Sequence, residues 1–177
     1  PENIGKYKND FYQRLVFDEI FSTFLVNSEI RKKIKKVKKT KKKIKIKKQN
    51  ELIENLNFKL TNDQIKAIKE INQDLSAPTK MFRLLQGDVG SGKTIVSLLA
   101  AFNTINSGYQ VAVMAPTEIL ARQHYNLSKK IFPKSFNIEL ISGKSDYRNK
   151  KYTLDKLSNH QIDILFGTHA IFQNKVN

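Results

Sequence analysis

Apolar residues recur at three- and four-residue steps through Phe11, Leu15, Phe17, Phe21 and Phe24, then at Ile30, Ile34 and Val37. That period predicts an amphipathic helix in the N-terminal part, fading into a lysine-rich tract. Its stripe needs a surface to pack on, and residues 1–30 are expected to be the tail of a larger structure. A new unit starts near Leu56. Thr61-Asn62-Asp63-Gln64 fits a capping box, with Thr61 as N-cap and Gln64 at the third helical position. The helix that follows is expected to turn Ile65, Ile68, Ile71 and Leu75 inward and to end before Ala77-Pro78.

An alternation comes next. Phe82–Leu85 reads as a buried strand, 93–107 as a helix, Val111–Ala115 as a strand and 117–131 as a helix. Ile138–Ile141 reads as a strand, 146–158 as a polar helix and Ile162–Phe166 as a strand, with Asp163 inside it. Strands separated by single helices form β-α-β crossovers, so the fold class is α/β, a parallel sheet flanked by helices. Three divisions are expected: a helical linker at 1–30, a lysine-rich linker at 31–55 and the α/β unit at 56–177.

Composition narrows the chemistry. The 177 residues contain no cysteine, which excludes disulfide scaffolds, thiol nucleophiles and thiolate zinc sites. His124, His160 and His169 lack metal-ligand spacing, and no run of 18 apolar residues or signal-like start occurs, so a soluble, intracellular chain with no membrane partner is expected. The net charge of +16 is local: residues 31–48 hold 13 basic residues and no acid, which leaves 19 basic against 16 acidic elsewhere. Such a run can neutralise phosphates, or it can be a solvated linker in a chain whose codons favour lysine throughout.

Gly87-Asp88-Val89-Gly90-Ser91-Gly92-Lys93-Thr94 matches the phosphate-binding pattern G-x-x-x-x-G-K-[ST] in full. Glycines let the backbone turn tightly and aim N–H groups at phosphate oxygens, and the next helix presents its positive end to the same anion. Lys93 is expected to reach the β- and γ-phosphates of ATP, and the Thr94 hydroxyl to ligate Mg²⁺. An apolar segment before Gly87 and an amphipathic helix from Lys93 supply the context that the pattern requires.

Phe58-x-Leu60-Thr61-x-x-Gln64 and Arg83-Leu84-Leu85-Gln86, running into the glycine-rich turn, resemble the start of the RecG helicase motor. Met114–His124 and Gly167–Gln173 extend the resemblance in the same order, over roughly residues 56–175, and Arg14–Glu19 resembles that family's linker into the motor. The resemblance implies an incomplete RecA-like domain of a superfamily 2, ATP-driven double-stranded DNA translocase that remodels stalled forks and Holliday junctions in recombination and repair. It further implies that Gln64 recognises adenine, as a glutamine can by bonding N6 and N7; the competing role is a helix cap. Pro116, Thr117 and Glu118 correspond to a DNA-backbone motif, with plain N-capping as the alternative for Thr117. Gly143, Gly167, Thr168 and His169 correspond to two further DNA-contacting loops, expected on the sheet edge that carries the phosphate turn.

Two departures bear on activity. A motor of this kind needs an apolar strand ending in Asp-Glu, and the sole adjacent pair here, Asp18-Glu19, lies on the N-terminal helix. No arginine can be assigned as the finger of a second lobe. The chain is therefore expected to be a helicase fragment that binds ATP weakly and turns it over negligibly, completed by a missing C-terminal helicase portion. Alternatives are a non-catalytic nucleotide- or DNA-binding module that needs a partner chain, and a piece of a transcription-repair coupling translocase.

Overall fold

The computed structural model describes residues 2–36, 39–141 and 147–168, and the side chains of all of these except 2–9, 34–36 and 147–149. Its elements in chain order are α1 (Glu2–Lys36), α2 (Ile46–Glu54), α3 (Asn62–Ser76), α4 (Lys93–Asn106), β1 (Val111–Ala115), α5 (Glu118–Ile131), β2 (Ile138–Ile141), α6 (Tyr147–Ser158) and β3 (Ile164–Thr168). Two compact units divide the chain: residues 1–40 with 77–83, and 41–76 with the remainder from Leu84. The first is dominated by α1, a single long helix whose Phe17 and Phe21 rings stack 5.7 Å apart on an exposed face. No described helix is long and apolar enough to cross a membrane.

The second unit is the expected α/β layer structure. Its sheet has the order β1-β3-β2 with every pairing parallel. The register sets Ala115 opposite Thr168 and Ile141 opposite Gly167, so the three strands end together on one carboxyl edge. β3 is central and its Ile164, Leu165 and Phe166 are 0–2 % exposed, as a strand covered on both faces should be. Helix α4 packs on this sheet through Ile95, Leu99 and Phe102, which share one core with Ile164 and Phe166. Phe102 also meets Phe132 and Phe136 at ring distances of 5.8 and 5.7 Å.

Four expectations change. Phe82–Leu85 forms no strand and pairs with none of this sheet, and Phe82 and Leu84 are 65 % and 82 % exposed. Apolar composition favours an extended chain, but a strand exists only where a neighbour accepts its hydrogen bonds. Ile65 is 52 % exposed, unlike Ile68, Ile71 and Leu75, which are buried. The last strand starts two residues later than expected, at Ile164. Asp163 stands just before it rather than inside it: its carboxylate accepts the Asn137 N–H at 2.7 Å and ties the entry of β3 to that of β2.

Candidate nucleotide site

The glycine-rich turn leads straight into α4. Gly92 is the N-cap residue with φ 77° and ψ 26°, and Gly90 has φ 83°, both in the left-handed region that side chains resist. At Gly92 space is also forbidden, since an added Cβ would collide with Gln64 Nε2. At Gly87 an added Cβ would lie 2.8 Å from Ser91 Oγ. The turn is closed by Ser91 N–H donating to Asp88 O at 3.2 Å, and α4 begins with Ile95 N–H donating to Gly92 O at 3.1 Å. Residues 86–91 are exposed, so an anion can reach the turn and the start of α4 together.

Lys93 is folded over this turn. Its ammonium donates to Gly87 O at 2.8 Å and Asp88 O at 2.6 Å and stands 3.5 Å from Ser91 Oγ. A positive charge is thus fixed at the mouth of a loop that has few other cations, and phosphate oxygens can take over those bonds at little desolvation cost. Thr94 is half-buried in the first turn of α4, immediately after the lysine. A magnesium ion binds through one or two protein oxygens plus substrate phosphates and waters, and one hydroxyl at this place meets that requirement.

Gln64 fills the helix-cap role expected of it and braces the turn as well. Its Oε1 accepts the Thr61 N–H at 3.0 Å while its own N–H donates to Thr61 Oγ1 at 3.3 Å, which completes the capping box. Its Nε2 donates to Ser91 O at 2.9 Å, so the same side chain braces the phosphate turn across 27 residues of sequence. An amide has two donors and two acceptor lone pairs, and one of each remains for a base edge.

The other expected site residues that the structure describes fall on the carboxyl edge of the sheet. A four-residue connection joins the end of α4 to the start of β1, so α4 runs back along the sheet and its N-terminal turn faces that edge. Thr117 follows β1 and caps α5, with φ −129° and ψ 155° and its Oγ1 accepting Leu120 N–H at 3.3 Å. The hydroxyl proton is left to donate. Glu118 pairs with Arg122 at 3.4 Å, which offsets a negative charge beside the exposed Pro116-Thr117 corner. Gly167 and Thr168 close β3 on the same edge, Gly167 buried and Thr168 half-buried. Gly143 and His169 lie outside the described residues. Among the described residues no group of His, Asp and Glu could hold a metal ion on its own.

A model of the DEAD/DEAH box helicase domain matches residues 61–177, from the Thr61 cap through the phosphate turn and the whole sheet. The chain belongs to the DEAD/DEAH box helicase family. It is 43 % identical over 174 residues to the ATP-dependent DNA helicase RecG of Aquifex aeolicus, covering 98 % of this chain and 22 % of that protein. The RecG of Thermotoga maritima is 42 % identical over 166 residues, covering 93 % and 21 %. The chain therefore spans about a fifth of the length of these curated relatives. A solved structure of RecG bound to a three-way DNA junction superposes with a TM-score of 0.83 at 42 % identity, over 93 % of this chain and 23 % of that one. A hypothetical ATP-dependent RNA helicase from Sulfolobus tokodaii shares the fold alone, with a TM-score of 0.53 at 23 % identity over 71 % of this chain and 34 % of that one.

Reasoning from the sequence passed over one feature of this unit. Gln49, Asn72 and Asn103 form a buried amide cluster: Asn72 Nδ2 and Asn103 Nδ2 donate to Gln49 Oε1 at 2.7 and 2.6 Å, and Asn103 Nδ2 donates to Asn72 Oδ1 at 2.7 Å. It ties α2, at the end of the lysine tract, to α3 and α4. Leu52 and Ile53 gave the available signal, an apolar pair at the end of a polar run.

Proposed function

We propose that this chain supplies the ATP-binding part of a RecG-type ATP-dependent DNA helicase that acts on branched DNA. Gly87, Asp88, Val89, Gly90, Ser91 and Gly92 cradle the phosphates with backbone N–H groups, Lys93 neutralises the β- and γ-phosphates, and Thr94 ligates Mg²⁺. Magnesium held there with ATP would draw negative charge off the phosphates. Gln64 reads adenine with its remaining donor and acceptor. Pro116, Thr117 and Glu118, with Gly167 and Thr168, contact the DNA backbone, joined by Gly143 and His169 of the neighbouring loops. The observation that carries this reading is the turn itself: left-handed glycines, a captive lysine ammonium and a helix start, braced by Gln64.

Binding and turnover separate here. Uniform grip on ATP does not speed its hydrolysis; stabilisation confined to the transition state does. With Asp18-Glu19 as the one adjacent carboxylate pair in the 177 residues, the isolated chain binds ATP and hydrolyses it negligibly, and the remaining parts of a RecG-length protein complete the motor. Competition against a fluorescent ATP analogue tests the base-reading role. ATP should displace it better than GTP, and Gln64→Ala should erase that preference. Equal displacement by GTP from the unaltered chain would overturn the assignment.

A further inference from the structure

The lysine tract is not a loose tether where it enters the second unit. Burial alternates along it: Lys41, Lys43 and Lys45 are exposed while Lys42 and Ile44 are half-buried. The inner side is fastened. Lys42 N–H donates to Leu75 O at 3.3 Å, the Lys42 ammonium sits 4.4 Å from the Tyr109 ring centroid, and Ser107 Oγ donates to Lys43 O at 3.1 Å. Ile44 packs on the core, and α2 continues the attachment through Leu52 and the amide cluster of Gln49, Asn72 and Asn103. Three lysines are thereby held in a row on the outer side, and none of them pairs with a carboxylate among the described residues.

We propose that Lys41, Lys43 and Lys45 form a second phosphate-contacting surface, separate from the loops on the carboxyl edge, that takes the backbone of duplex DNA. The three exposed lysines leave the chain at alternate positions between two half-buried ones. Phosphates recur regularly along one DNA strand, at about 3.4 Å of axial rise each, so adjacent ammonium groups on one surface can meet several of them. The row crosses the C-terminal ends of α3 and α4, at Leu75 and Ser107. The phosphate turn lies at the other end of α4, whose 14 residues span about 20 Å. The helix ends engage Lys42 through its backbone N–H, and Tyr109 takes its ammonium; neither accounts for the three exposed ammonium groups beside it. Fixing like charges side by side costs self-repulsion, which a polyanion removes.

The test measures binding of a labelled blunt duplex to the full chain by fluorescence anisotropy across a salt series. Changing Lys41, Lys43 and Lys45 together to Gln should flatten the slope of log affinity against log salt by about 2.7 units, at about 0.9 per phosphate contact. The same three changed to Arg should keep the slope. A control that loses equal charge elsewhere, Lys130, Lys134 and Lys151 to Gln, should change it by less than about one unit. Mg-ATP affinity, read in the same variants, should not move, so a failure of the nucleotide site would be seen separately. Equal flattening by both Gln triplets, or none by the row, would overturn the proposal. So would a row variant that loses binding to polyglutamate but keeps its duplex slope.

Discussion

Helices α4 and α1 both carry apolar residues at helical spacing, yet they end up in opposite circumstances. In α4, Leu98, Leu99 and Phe102 are 0–3 % exposed; in α1, Phe11, Leu15 and Phe24 are 66–70 % exposed. The difference lies in what surrounds each helix rather than in the residues themselves. Short connections bind α4 to the phosphate turn on one side and to β1 on the other, so the crossover lays it on the sheet. Among the described residues, α1 joins no strand of the sheet by such a connection. A periodic stripe says which face would gain from burial, at about 25 cal/mol per Å². Whether that gain is realised depends on a second surface of matching shape.

This contrast can be sharpened by substitution. Leu99→Ala should destabilise the second unit most, by about 2–5 kcal/mol, since it opens a cavity where no side-chain surface is exposed; urea denaturation followed by circular dichroism reads the loss. Asn103→Ala should cost about 1–3 kcal/mol in the same assay, because Asn72 Oδ1 is left buried without its donor. Thr117→Ala should cost about 1 kcal/mol by removing the cap on Leu120 N–H. Phe24→Ser should stay within about 0.5 kcal/mol, as for an exposed surface position. A loss above about 1 kcal/mol at Phe24 would break the comparison, for it would mean that α1 packs as α4 does.

The sequence was legible where a local rule and the tertiary structure agree. Thr61 and Gln64 formed the expected capping box, β1 and β2 kept their expected bounds, and Thr117 capped α5, because caps and apolar alternation are encoded within a few residues. It misled where the outcome depends on a distant neighbour. Phe82–Leu85 has strand composition, but only a flanking strand can make it one. Gln49 looked like part of a polar linker, and no local rule reveals that Asn72 and Asn103 converge on it from 23 and 54 residues away. At the candidate nucleotide site, the pattern picked out the glycine-rich turn, Lys93 and Thr94, which the structure brings together at the start of α4. It could not disclose that Gln64 reaches Ser91 O and so braces the turn besides capping its own helix.

The central claim is that the turn before α4 holds the phosphates of ATP, with Lys93 as its fixed charge. Isothermal titration calorimetry of the folded chain with Mg-ATP tests it most directly, alongside Lys93→Ala verified to be folded. The account predicts saturable one-to-one uptake by the unaltered chain and at least a tenfold weaker affinity, about 1.4 kcal/mol, for the variant. Equal affinity in both, or no uptake by the unaltered chain, would contradict it.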